Sequence, residues 1–325
     1  MGSATLPSGV VPQFPVELSP PSLDSWMVGN VGIPGVTRRF GREPGPNVVI
    51  LGLLHGNEIA GAIVLEQLLR ERFEPACGTL TIILANLAAY ARFDPEQPTA
   101  SRFIDEDLNR VWDPAVLDGP RRSCELDRAR AIRPMIDRAD LLLDLHSMLW
   151  PSDPLLLCGS GQAGRALGMS LGVPDLVVAD RGHATGPRLI DYPRFTGDGK
   201  AAACLVEAGQ HWRPETVTVM RDCVEAMLGR AGMAPVPAPR PTPRCAEVTL
   251  VVTAATSGFT FVQSYRGGDV IPERNTLVAL DGNNEIRTPH DDALLVMPSL
   301  RASRGHTAVR MARFVEPPTE PNPCP

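Results

Sequence analysis

A continuous apolar run over residues 48–54 stops at His55-Gly56-Asn57-Glu58, and a helical pattern follows from Ile59 through Ile63, Leu65, Leu68 and Leu69. A short apolar run bounded by turn signals reads as a strand buried on both faces, which places His55 at its C-terminal end. A strand at 36–40 precedes it and a third, again apolar enough to be internal, covers 80–85. Strand, helix, strand within about 40 residues is a parallel α/β unit. A long polar passage, 86–119, shows little periodicity and reads as functional, since idle loops of that length are uncommon in compact domains. A helix follows at 124–136. A buried strand at 140–145 stops at His146, further short strands cover 154–158, 176–179 and 202–206, and helices cover 161–171 and 215–228. The strand at 202–206 ends at Glu207.

Residues 234–243 (APVPAPRPTP) are half proline, a semi-rigid extended linker. Short β-patterned runs at 248–253, 259–263, 276–280 and 293–297 come after it. The expected organisation is an irregular arm over 1–24, an α/β domain over 25–233, a linker over 234–245, a small β domain over 246–318 and a tail over 319–325. The fold class is α/β, a mixed and mostly parallel sheet flanked by helices, plus that C-terminal β domain.

Composition narrows the function classes. A net charge of −6 with no Lys/Arg stripe interleaved with aromatics excludes a nucleic-acid footprint. No apolar run approaches the ~18 residues of a membrane span. The seven cysteines are widely spaced without a CxxC pair, so free thiols in a reducing compartment are expected, and with no signal-peptide pattern the chain reads as cytoplasmic. Oligomeric state is open, a homo-oligomer included.

The strand ends carry the candidate chemistry. His55 and Glu58 project from one side of a single turn, and His146 terminates another strand. Two imidazoles and a carboxylate form a three-ligand catalytic zinc shell with a fourth position open. Glu207 is then the separate carboxylate that takes a proton from the attacking water, the chemistry of amide or ester hydrolysis. The bland reading of His55 and Glu58 alone is a helix N-terminus with a favourable early Glu and an incidental His.

HGNE with Gly61 after it, DEDLNR, DLH and EAGQH, in this order, resemble the succinylglutamate desuccinylase/aspartoacylase family, related to the zinc carboxypeptidases. The resemblance covers residues 36–230, with the C-terminal part matching only in position and size. It implies one Zn²⁺ per chain held by His55, Glu58 and His146, with Glu207 as general base and then acid toward the departing amine. It implies that Asn109 and Arg110 hold the substrate's α-carboxylate and that Arg102 polarises the scissile carbonyl. It further implies that Asp107 orients a zinc-bound imidazole. The implied partner is a small-molecule N-acyl amino acid. A further basic residue for an acidic substrate group is expected before Glu207, with Arg181, Arg188 and Arg194 as candidates. Cover for the pocket is expected from 267–272 or 281–290. Asp105 and Glu106 read as solvated acids, His183, His290 and His306 as structural, and His211 as a packed or exposed imidazole. The alternatives are a zinc carboxypeptidase acting on short peptides and a non-catalytic zinc-binding protein of the same fold.

Overall fold

The computed structural model describes residues 14–180, 182, 185–197 and 199–316. Arg181, His183, Cys324, the first thirteen residues of the expected arm and the tail lie outside the described residues. After a 3₁₀ turn at Asp24–Trp26 come β1 (Val36–Phe40), β2 (Glu43–Gly52), α1 (Ile59–Arg70) and β3 (Cys77–Leu84). Within the long polar passage stand α2 (Leu87–Tyr90), a 3₁₀ turn at Leu108–Arg110 and α3 (Pro114–Leu117). Then come α4 (Cys124–Ile136), β4 (Leu141–Met148), β5 (Leu155–Cys158), α5 (Gln162–Leu171) and β6 (Leu176–Ala179). They are followed by α6 (Pro193–Thr196), β7 (Ala202–Gln210) and α7 (Pro214–Arg230). The C-terminal strands are β8 (Arg244–Thr253), β9 (Phe259–Phe261), β10 (Val270–Ile271), β11 (Leu277–Asp281), β12 (Asn284–Arg287), β13 (Ala293–Val296) and β14 (Thr307–Val315).

Eleven of these strands form one sheet in the order β1-β3-β2-β4-β7-β5-β6-β8-β14-β13-β10, and β12-β11-β9 form a second. β3, β2, β4 and β7 are mutually parallel, so their C-terminal ends share one edge of the sheet, the edge at which open α/β sheets place ligands. β5 runs antiparallel to β7. β8 pairs in parallel with β6, so the main sheet continues past the proline-rich stretch into the C-terminal strands.

Two strand ends differ from the sequence expectation. β4 runs on through His146 and Ser147 to Met148, and β7 runs on through Glu207 to Gln210. Polar side chains mark the end of apolar patterning, but the ladder continues because the two strands keep pairing there, with His146 opposite Glu207. β14 is not anticipated by the sequence reading at all.

The core lies on both sheet faces. α1 turns Ala60, Val64, Leu65, Leu68 and Leu69 onto one face, in a cluster shared with Met220 and Met227 of α7. A fully buried Leu of this kind contributes roughly 1.5–3 kcal/mol. On the other face Leu126, Ala129, Ile132 and Ile136 of α4 pack with Leu108, Val111 and Leu189. The cysteines of the described residues are free. Among the described residues no helix is long and apolar enough to cross a membrane.

Candidate functional site

β2 ends at Gly52, and the next residue, Leu53, is fully buried with φ of 62°. A left-handed Leu costs on the order of 1–2 kcal/mol, and here it swings the chain out of the strand so that His55 faces inward over the sheet edge. Gly56 has no room for a side chain: a Cβ there would sit 2.4 Å from the Ala89 backbone and 2.5 Å from the Ser101 carbonyl. Its N–H donates to the Arg102 carbonyl at 3.1 Å. Glycine thus lets the segment carrying Arg102 close onto the His55 turn.

His55, Glu58 and His146 converge. Their candidate ligand atoms all lie within 4.8 Å of one another, and all three residues are buried. Glu58 Oε1 is 2.7 Å from His55 Nδ1 and Oε2 is 3.1 Å from His146 Nδ1. Ser147 N–H donates to the same Oε2 at 3.0 Å. Behind each ring stands a second carboxylate: Asp107 Oδ1 is 2.9 Å from His55 Nε2, and Asp144 Oδ2 is 3.0 Å from His146 Nε2. Both imidazoles therefore present Nδ1 toward Glu58 while a carboxylate fixes the proton on Nε2, the arrangement that orients metal-bound histidines.

The charge count asks for a cation. Three carboxylates enclose two imidazoles in a dry pocket, where unpaired negative charge is costly. Burial by itself would lower the pKa of His146, but Asp144 and Glu58 hold it well above the ordinary histidine range. Burial would likewise raise Glu58 and Asp107, yet the imidazoles hold Glu58 well below the carboxylate range, and His55 with Arg102 does the same for Asp107. Two nitrogens and a carboxylate oxygen match the donor set zinc prefers.

Glu207 is beside the triad. It pairs in register with His146 across parallel strands, is 7% exposed, and its Oε2 has no hydrogen-bond partner. Burial, reinforced by the charge of Glu58, pushes its pKa up to about 8 against the opposing pull of His146. Just beyond it the strand carries one extra residue relative to β4, and Gly209 takes φ of 129° there, which is why the EAGQH segment holds a glycine. Such a carboxyl exchanges protons readily near neutral pH.

Arg102 lies at the rim, its side chain 38% exposed, with Nη2 at 3.1 Å from Asp107 Oδ2 and Nη1 at 3.6 Å from Glu58 Oε1. Asn109 is buried; its Oδ1 accepts from Leu189 N–H at 2.8 Å and its Nδ2 is 3.4 Å from His146 Nε2. Arg110 Nη1 donates to the Asn109 carbonyl at 2.6 Å, and burial brings its pKa down to about 10. Gly186 packs on the Arg110 carbonyl, where a Cβ would be 2.2 Å away. The 186–189 segment thus clamps the Asn109-Arg110 pair against the 3₁₀ turn.

The other sequence candidates separate clearly. Arg188 is spent on Asp180 and Asp191, and Arg194 caps the Ala139 carbonyl and Asp140 away from the triad. Asp105 and Glu106 are not free acids: Asp105 accepts from Cys124 N–H and Glu106 from Ser123 Oγ, which caps α4. His211 is buried and bonded through Nδ1 to Ser147 Oγ at 2.7 Å.

Sequence reasoning passed over two contributors. Asp144 sits two residues before His146 on one strand and so shares its face, a period-two signal readable in DLH. Glu125, fully buried on α4, accepts from the backbone N–H of Ile104, Asp105 and Glu106 at 2.7, 3.0 and 3.3 Å and from Asn86 Nδ2 at 3.0 Å. It anchors the loop that delivers Asp107, and no local pattern reveals that.

Residues 44–161 match the family model described as succinylglutamate desuccinylase/aspartoacylase catalytic domain. Over 109 residues the chain is 30% identical to N-acyl-aromatic-L-amino acid amidohydrolase (carboxylate-forming) A of Danio rerio. That stretch spans 31% of this chain and 32% of the relative. The structure is similar to that of succinylglutamate desuccinylase from Vibrio cholerae, with a TM-score of 0.67 at 19% identity, covering 87% of this chain and 86% of the other. It is also similar to succinylglutamate desuccinylase/aspartoacylase from Rhodobacter sphaeroides, with a TM-score of 0.64 at 19% identity over 92% and 94% of the two chains. At such identities the likeness establishes the fold.

Proposed function

We propose that this chain, which belongs to the succinylglutamate desuccinylase/aspartoacylase family, is a zinc-dependent amidohydrolase that removes the acyl group from an N-acyl amino acid. The observation that carries this reading is Glu58 bridging the Nδ1 atoms of two buried imidazoles, with Glu207, its Oε2 unpartnered, in register beside them. His55, Glu58 and His146 would hold one zinc ion per chain. Zinc, when bound, lowers the pKa of water from about 15.7 to about 7 and polarises a carbonyl.

The chain's own residues supply the rest. Glu207 accepts a proton from the attacking water and delivers it to the departing nitrogen, and its raised pKa suits both halves of that exchange. Arg102, exposed at the rim, donates to the scissile carbonyl oxygen as negative charge develops there. Asn109 and Arg110 receive the substrate's α-carboxylate, the planar guanidinium taking two oxygens at once. Asp107 and Asp144, each against an Nε2, keep both imidazoles in the tautomer that leaves Nδ1 as the donor a zinc ion would take. The free thiols fit a reducing, cytoplasmic setting.

The decisive experiment loads the protein with zinc, measures metal stoichiometry, and assays acetyl and succinyl amino acids beside short peptides. One zinc per chain, turnover of N-acyl amino acids, and loss of that turnover in zinc-loaded Glu207→Gln are expected. Hydrolysis confined to peptides would make the protein a carboxypeptidase, and bound zinc without any hydrolysis would leave a non-catalytic metal site.

A further inference from the structure

β4 outruns its neighbour. Its pairing with β2 ends at Gly52 opposite Leu145, whereas β4 itself continues to Met148. Past that point β2 offers no acceptor, and a buried backbone N–H on that side of β4 needs another. Ser147 N–H finds one in Glu58 Oε2 at 3.0 Å. The same oxygen lies 3.1 Å from His146 Nδ1, so one candidate ligand is held by the peptide that directly follows another.

What fixes that peptide comes from β7. Ser147 is buried, and its Oγ lies 2.7 Å from Nδ1 of His211, which is 2% exposed. His211 N–H also donates to the Met148 carbonyl at 2.9 Å. The two strands pair His146 with Glu207 and Met148 with Gln210, so β7 fits one extra residue into this interval. A bulge of that kind re-aims the side chains beside it. The next residue, Trp212, is fully buried, and its Nε1–H donates to the carbonyl of Asn57 at 3.1 Å. Asn57 directly precedes Glu58. His211 and Trp212 therefore grip Glu58 from two sides, at its carboxylate through the Ser147 peptide and at its backbone through the Asn57 peptide.

We propose that His211 is a positioning residue for the metal centre: through Ser147 it fixes Glu58 Oε2, leaving Oε1 as the oxygen offered to the ion. The inference rests on the zinc reading of His55, Glu58 and His146 given above. A carboxylate already held at one oxygen has lost its rotational freedom before the ion arrives, so ordering it does not oppose binding. With the hold removed, Glu58 can turn, and zinc must order it again.

The test measures zinc affinity by chelator competition in the parent, in Ser147→Ala, His211→Phe and His211→Asn, and in the double variant combining the first two. Val278→Ala, in the separate core cluster of the C-terminal strands, is the control for lost stability. Ser147→Ala and His211→Phe should each weaken zinc binding about 10-fold. The double variant should lose no more than either alone, because a single contact joins the two side chains. Asparagine, whose amide can take the place of Nδ1, should restore affinity to within about 3-fold of the parent. The visible spectrum of the cobalt-loaded protein should change in Ser147→Ala and His211→Phe, where the approach of Glu58 to the ion alters, and should match the parent in Val278→Ala. Additive losses in the double variant, affinity within about 2-fold of the parent in both single variants, or an equal loss in Val278→Ala would overturn the assignment and leave the zinc reading standing. A parent that binds no zinc would remove both. If His211→Phe does not fold, Ser147→Ala decides: unchanged affinity and an unchanged cobalt spectrum refute the hold on Glu58.

Discussion

Asp144 and His146 stand two residues apart on β4, and Asp144 Oδ2 lies 3.0 Å from His146 Nε2 in a fully dry setting. No donor other than His146 is recorded at either oxygen of Asp144, so its charge is directed at the imidazole. This pairing mirrors that of Asp107 with His55 and makes the two imidazoles equivalent in their backing.

Replacing Asp144 with Asn should weaken zinc binding by about 10–100-fold, because the ring loses the carboxylate that sets its tautomer and basicity. Competition against a chromophoric chelator measures this directly. Affinity within 2-fold of the parent would show the contact to be incidental.

Arg102 and Arg110 should fail in different kinetic constants. On the proposed assignment Arg102→Gln removes a donor aimed at developing charge, so kcat should fall by about 10²–10³ with little change in KM. On the same proposal Arg110→Gln removes a charge-assisted contact to the substrate's α-carboxylate made equally in ground and transition states, so KM should rise by about 10–100-fold with kcat nearly constant. Interchanged patterns would exchange the two assignments.

Glu125 is a structural prediction. Glu125→Gln places an amide N–H₂ among three backbone donors that need acceptors, which should cost about 2–4 kcal/mol in urea unfolding. Because the loop then delivers Asp107 less firmly, zinc affinity should fall with stability. A variant as stable as the parent would show that the loop is held by other contacts.

His211 sets a pH dependence. Burial brings its pKa down to about 4 from the ordinary 6.5, so the folded protein keeps it neutral while the unfolded chain protonates below pH 6.5. The unfolded state then binds more protons, and the contribution is complete above pH 6.5 and is lost as pH falls toward 4. At most about 3 kcal/mol is at stake, from 1.36 kcal/mol per pKa unit. Urea titrations of the zinc-free protein at pH 4–7 should show a shallower fall in His211→Asn than in the parent. Parallel curves would show that other groups carry the acid sensitivity.

Much of the fold was legible because its elements advertise themselves locally. The helix at Cys124–Ile136 and the strands at Val36–Phe40 and Leu176–Ala179 lie where periodicity predicts them. β14 was invisible because Arg310 and Arg313 interrupt its apolar pattern, and a buried arginine looks like a surface one until its surroundings are known. Strand ends at His146 and Glu207 were misplaced for a related reason: polar composition signals a turn, whereas ladder pairing with the neighbouring strand decides where a strand stops.

By itself the sequence determined the candidate ligand and base types and their order along the chain, since His55 and Glu58 are bound together by three residues of spacing and His146 and Glu207 each follow an apolar run. Only the tertiary structure showed why glycine stands at 56 and 209, where a packed neighbouring segment leaves no room for a Cβ or the backbone takes a positive φ. Tertiary structure alone decided which carboxylates back which imidazoles, that Arg188 is consumed by Asp180 and Asp191, and that Arg310 reaches Asp180 from a strand more than a hundred residues beyond His146. Those relations depend on pairing between distant strands, and an ionisable side chain acquires its role from the charges that folding places around it.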